Sequence, residues 1–260
     1  MRSGRVVPAG LVLALVLPGC SRPREADEDV VRVAVASSFL EAHAELSRSF
    51  EALTGWRVVA SSGSTGALYA QVLNGAPFHL FLAADEERPR RLEEQGRARR
   101  GRRLTYARGR LALYGPALDS VRDGGSDLVQ GRFTRLAIAN PATAPYGAAA
   151  QDVLRRLGVA DRVAPRTARG ESVAQVLHFV RSGAADLGFV ALAQVRHEPA
   201  RRLWVVPADL HRPILHDGLL LEAGEAHPGA LAYFEFLRGP QARRVLLEHG
   251  YADPSPGGSP

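Results

Sequence analysis

Lysine is missing from this 260-residue chain, and all 33 basic residues are Arg. They are scattered, dense only from Arg88 to Arg103, and no aromatic residue interleaves with them there. The formal charge of +6 therefore reads as a compositional habit on a solvated face, and no nucleic-acid partner is expected. Cysteine is almost missing as well. Cys20 stands alone, which excludes an internal disulfide. No Cys cluster and no H-E-x-x-H or H-x-x-E-H pattern occurs, so the chain offers no recognisable metal centre. A nucleotide-binding loop is also lacking. The apolar stretch around Leu11 to Leu17 is too short to span a bilayer.

What that stretch does fit is a secretory signal. Arg2 and Arg5 precede LVLALVL, and Pro18-Gly19-Cys20 closes it. Leu17-Pro18-Gly19-Cys20 resembles the bacterial lipobox, in which the Cys takes acyl chains and becomes the first residue. Residues 1–19 are thus expected to be a lipoprotein-type signal peptide and Cys20 a lipidation site. Residues 20–29 form a polar, flexible tether. The mature protein is placed outside the cytoplasmic membrane, periplasmic or on the cell surface, held by a lipid anchor.

The 46% hydrophobic content supports a sizeable core. Strand and helix patterns alternate from Val31 onward. Val31 to Ala36, Trp56 to Ala60, Leu80 to Ala83, Leu111 to Tyr114, Leu136 to Ala139, Leu187 to Val190, Leu203 to Val206 and Leu215 to Leu221 read as strands. Helices are expected from Phe39 to Leu53, around Leu68 to Leu73, from Glu86 to Gln95, from Tyr146 to Leu157 and from near Ser172. Two more run from Pro228 to Leu237 and from Pro240 to His249, each with Pro in its first turn. Repeated β-α units predict a parallel sheet with ligands at the carboxyl ends of its strands.

Three segments share one design, in which a strand breaks into small hydroxyl or Gly residues and a helix follows at once. They are VRVAVASSFLEAH, VVASSGSTGALYAQV and LAIANPATAPYGAAA. Each presents free backbone N–H groups and a helix N-terminus at a strand end, and two of them add Ser or Thr hydroxyls close to the helix start. That is donor-only chemistry, suited to a small anion. No comparable set of acids and bases occurs. Ser64, in a Gly-rich turn, imitates a nucleophile elbow, but Ser62 stands where G-x-S-x-G needs its first Gly. His43, His79 and His178 read as packing or surface residues, and Asp85 as a helix N-cap.

The longer blocks carry a resemblance. VAVASSF, SSGSTGALYAQVLNGAPFHLFLAADEERPRRLEEQG, RLAIANPATAPYG, GESVAQVL, AADLGFVALAQV and FLRGPQARRVLLEHGY together resemble the periplasmic molybdate-binding proteins of bacterial ABC importers. These are a branch of the type II periplasmic binding protein fold. The resemblance implies two α/β lobes joined by two chain crossings with a ligand cleft between them. Lobe 1 would hold residues 30–108 plus 218–251 and lobe 2 residues 109–217, with 252–260 a disordered tail. It implies that Ser38 and Thr65 give hydroxyls, and Tyr146 and Val173 backbone amides, to the oxygens of one molybdate or tungstate ion. These four would touch a metal only through those oxygens. No cofactor and no enzymatic activity are implied. A monomer is implied, which delivers its ion to a membrane permease and its ATPase subunit. Many members add a Tyr hydroxyl from a GFVY segment, where this chain has Ala191.

Such a pocket suits a dianion that accepts hydrogen bonds and donates none. Hydrogen phosphate would leave its own P–OH unpaired, at about 1–3 kcal/mol. Two alternatives stay open at this level: another tetrahedral oxyanion such as sulfate, and, in a different class, a secreted serine hydrolase. No Arg side chain is expected to touch the ion.

Overall fold

The computed structural model describes residues 29–116, 121 and 124–254. The expected signal peptide, Cys20, most of the tether and the last residues of the tail lie outside this set. Among the described residues no helix is long and apolar enough to cross a membrane.

Two five-stranded sheets organise the chain. The first has the order β2 (Arg57–Gly63), β1 (Val30–Ala36), β3 (Leu80–Leu82), β10 (Ile214–Leu220), β4 (Arg103–Gly109). The second has the order β7 (Thr167–Gly170), β6 (Leu136–Ala139), β8 (Leu187–Ala191), β5 (Leu111–Tyr114), β9 (Leu203–Val205). Strands β1, β2 and β3 run parallel, as do β6, β7 and β8. The all-parallel expectation is corrected at β10, which is antiparallel to both neighbours, and at β5, which is antiparallel to β8 and β9. The reason is topological. The chain crosses from one sheet to the other between β4 and β5 with only Arg110 between them, too short for a helical crossover. It returns into β10 after Pro213.

Apolar residues place the helices. In the first lobe α1 (Leu40–Thr54), α10 (Pro228–Phe236) and α11 (Pro240–Glu248) cover one face, where Phe39, Phe50, Tyr233 and Phe234 are fully buried. Helices α2 (Thr65–Leu73) and α3 (Glu87–Glu94) cover the other face through Leu68, Phe81 and Leu92. In the second lobe α5 (Pro145–Arg156) and α7 (Val173–Arg181) enclose β6 and β8 through Val153, Val176, Val180 and Phe189. Each such side chain contributes about 1.5–3 kcal/mol by leaving water. Short helices α4 (Gly124–Gln130), α6 (Ala160–Val163), α8 (Leu192–Val195) and α9 (Glu222–Glu225) fill the connections.

The sequence reading missed β4 and β7. β4 is RLTYARG, with several half-buried positions, and it follows directly on the arginine-rich run. β7 is only TARG, a four-residue edge strand. β2 runs three residues beyond the expected Ala60, through Ser61 and Ser62 to Gly63, because parallel pairing with β1 continues to the Ala36–Gly63 pair.

Candidate functional site

The parallel strands of both sheets end at one small cavity. Its wall is made of Ala36, Ser37, Ser38, Gly63, Ser64, Thr65, Ala84, Ala144, Pro145, Tyr146 and Val173, around about 200 Å³ not filled by protein atoms. All four sequence-predicted residues are therefore brought together, although they are drawn from two sheets. Ser37 and Ser64 join them, whereas Ser62 is exposed on β2.

Local structure explains each position. β1 ends in a 3₁₀ turn, Ser37–Phe39, before α1. This sets Ser38 at the strand's carboxyl end with 4% of its surface exposed. Its Oγ is buried and meets no protein atom in good hydrogen-bond geometry, with the Tyr146 hydroxyl as a near neighbour. An orphaned buried hydroxyl costs roughly 1–3 kcal/mol, which an acceptor in the cavity would return. Thr65, the first residue of α2, is 1% exposed. Its Oγ1 accepts the Ala84 N–H at 3.1 Å, so its own proton points to another acceptor. Ser64 holds the N-cap position of α2 yet makes no capping bond.

Tyr146 and Val173 contribute backbone. Tyr146 is the second residue of α5, after Pro145, and Val173 is the first of α7, after the N-cap Ser172. Helical geometry leaves such first-turn N–H groups without intrahelical acceptors. The Ser172 side chain takes the Gln175 N–H at 3.4 Å and leaves that of Val173 free to face the cavity. The N-termini of α2, α5 and α7 converge on this wall, and each adds a partial positive charge. Among the described residues the lining holds no carboxylate, imidazole or guanidinium. The cavity is thus positive in field, donor-rich and without an acceptor side chain of full charge.

Contacts across the cleft combine backbone and side-chain groups. Gly66 N–H donates to the Thr143 carbonyl at 2.8 Å. Arg88 donates to the Ala142 carbonyl at 2.8 Å, and Arg196 pairs with Glu41 at 3.1 Å. Gly147 lets α5 start hard against β6, since a Cβ there would meet the Ala139 carbonyl oxygen. Behind the wall, the Tyr146 hydroxyl lies 3.3 Å from His216 Nε2. Burial lowers the His216 pKa to about 3 and raises that of the Tyr146 phenol, against a weak opposing effect of Ser38. Both rings are therefore neutral.

The hydrolase candidates separate in space. His43 is buried beside Ser47 and Tyr233, with its pKa lowered to about 4 by burial. His79 accepts the Arg32 N–H, and His178 is exposed. The N-cap of α3 is Glu86, one residue past the expected Asp85, although the Asp85 carboxylate still accepts the first-turn Arg88 N–H at 2.9 Å and the Arg88 guanidinium. Ala191 is fully buried and does not line the cavity. Two larger cavities, of about 1350 and 1680 Å³ by the same measure, lie elsewhere. The first adjoins the small one at Ala84 and Pro145 and carries four Arg and four acidic residues. Its mixed charge and open walls do not match the converging donors, so size is the poorer guide here.

A family described as bacterial extracellular solute-binding protein matches residues 31–252. The molybdate-binding protein ModA of Azotobacter vinelandii is 43% identical over 224 residues, covering 85% of this chain and 89% of that protein. The ModA of Rhodobacter capsulatus is 39% identical over 239 residues, covering 92% and 93%. The solved periplasmic molybdate-binding protein of Azotobacter vinelandii superposes with a TM-score of 0.83 at 37% identity, over 86% of this chain and all of that one.

Proposed function

The chain belongs to the bacterial extracellular solute-binding proteins, and on that premise we propose that it captures molybdate outside the cytoplasm for an ABC importer. Relatives named as molybdate-binding proteins support the ligand, at up to 43% identity over most of the chain. The observation that carries the reading is the convergence of Ser38, Thr65, Tyr146 and Val173 on one cavity lined by donors. Ser38 and Thr65 supply O–H groups and Tyr146 and Val173 supply N–H groups. Tungstate, of like charge and shape, belongs to the same proposal.

The mechanism follows from lobe closure. Two donors sit on each side of the cleft, so only a closed molecule offers all of them, and the ion favours that form. Lobe 1 is taken as residues 30–108 plus 218–251 and lobe 2 as 109–217, the second boundary falling within β10. A loaded, closed molecule then docks on a permease whose ATPase subunit provides the energy. Attachment through a lipid on Cys20 keeps it near that permease.

Titration calorimetry with molybdate, tungstate, sulfate and phosphate tests this, on the wild type and on Ser38→Ala. Molybdate is expected to bind tightest, and Ser38→Ala to weaken it by about 10- to 150-fold, the worth of one hydrogen bond to a charged group. Sulfate binding as tightly as molybdate would move the assignment to another oxyanion. Ester turnover lost in Ser38→Ala, with no ion affinity in the wild type, would move it to a hydrolase.

A further inference from the structure

We infer that Tyr251 is a positioning residue for the anion site, pinning the turn that presents the Ser38 hydroxyl. This rests on the proposed reading of the cavity. The Tyr251 hydroxyl donates to the Ser38 carbonyl at 2.7 Å in a buried setting. Its ring stands edge-on to Phe39 at 5.7 Å and to His216 at 5.3 Å. The ring is thus held on two sides while the hydroxyl is aimed at the backbone of the turn.

The turn needs such a hold. Ser37–Phe39 spans only three residues between β1 and α1, and the Ser38 Oγ meets no protein atom in good hydrogen-bond geometry. Holding the Ser38 carbonyl holds the peptide plane next to its Cα, which narrows the range over which χ1 can aim the hydroxyl. Burial and the neighbouring phenols raise the Tyr251 pKa well above the ordinary value. The group therefore remains an O–H donor at any working pH.

The chain is shaped to deliver it. Gly250 takes φ +79°, the left-handed region that favours glycine, and turns the backbone inward after α11. Ala252 then exchanges both backbone hydrogen bonds with Arg108 at 2.9 Å. Arg108 directly precedes Gly109, where β4 leaves for the second lobe. Tyr251 is thereby anchored beside one chain crossing while it reaches the ligand turn.

The test compares wild type, Tyr251→Phe, Ser38→Ala and the double variant by molybdate calorimetry. Tyr251→Phe keeps the ring contacts and removes only the donor. It is expected to lower molybdate affinity about 5-fold and also to lower the ion-free unfolding temperature, because the buried Ser38 carbonyl loses its donor. In the Ser38→Ala background the same substitution is expected to change affinity by a factor near one, because the hydroxyl it positions is gone. Equal fold-losses in both backgrounds, or wild-type affinity in Tyr251→Phe, would overturn the inference. A wild type that binds no tetrahedral oxyanion fails before any substitution is compared. That outcome overturns the parent reading, and this inference with it.

Discussion

Gly66→Ala puts a methyl group where the two lobes touch. An ideal Cβ at this position lies 2.9 Å from Thr143 Cα and 3.0 Å from both its Cβ and its carbonyl oxygen. None of those atoms can swing away as a long side chain would. To reach ordinary contact the lobes must part there by roughly 0.5 Å, which also stretches the 2.8 Å bond from Gly66 N–H to Thr143. Overpacking of this kind costs about 1–3 kcal/mol, and it falls on the closed form alone. Ion affinity is then expected to drop by about 5- to 150-fold. The open, ion-free molecule meets no clash, and Ala is up to about 1 kcal/mol better than Gly in a helix. Its stability should hold or rise. Scanning calorimetry without ion, titration calorimetry with molybdate, and solution scattering with and without molybdate read these effects separately. Wild-type affinity in Gly66→Ala would refute the claim that this contact belongs to the binding form.

Thr65→Val should weaken ion binding and also destabilise the fold by about 1–3 kcal/mol, since the buried Ala84 N–H loses its acceptor. Thr65→Ser should keep both properties, and urea melts alongside titrations separate the two losses. Gly147→Ala forces a methyl into the Ala139 carbonyl oxygen and should cost about 3 kcal/mol or more in the same urea melts. His43 and His216 have native pKa values near 4 and 3 against about 6.5 when unfolded. Below pH 6.5 the unfolded chain alone takes up these protons. Stability complete above that pH is therefore lost as it falls, by about 1.4 kcal/mol per pH unit and group, until each native pKa is reached. Equal denaturation midpoints at pH 7 and pH 5 would contradict this.

Residues whose job is written in their neighbours were legible in the sequence. The strand-to-helix breaks around Ser38, Thr65 and Tyr146 survive in one dimension, whereas the choice of these residues and of Val173 rested on the family resemblance, since the short strand β7 before Val173 went unread. Buried β1, β3, β6 and β8 were visible as apolar runs. What escaped was pairing between distant segments. β4 is held by β10 more than 100 positions later, and nothing inside RLTYARG announces that partner. Gly66 looked like part of a Gly-rich turn, whereas its reason for lacking a side chain lies across the cleft at Thr143. Tyr251 closed a family motif without a chemical role, because its target, Ser38, is 213 positions away. A cue was present at Gly109. A Cβ there would collide with the Tyr146 hydroxyl, but this becomes readable only once the crossing is folded.

Tyr146 joins these two kinds of information in one residue. Its N–H belongs to the start of α5, at the cavity wall. Its ring extends behind that wall to Gly109 and His216, which lie on the two separate chain crossings between the lobes. His216 also lies 3.4 Å from the Tyr106 hydroxyl through its other nitrogen. A neutral imidazole has one N–H and one acceptor, so one phenol donates and the other accepts. The tautomer of His216 sets the donor order across Tyr146, His216 and Tyr106. The strand they bracket changes register between His216 and Asp217, where a bulge lets a strand bend. Movement of α5 relative to the first lobe must disturb this buried chain as well as the cavity wall. The cavity wall and the two chain crossings therefore share a mechanical element, and a well-packed interior of this kind moves between discrete arrangements and does not deform smoothly.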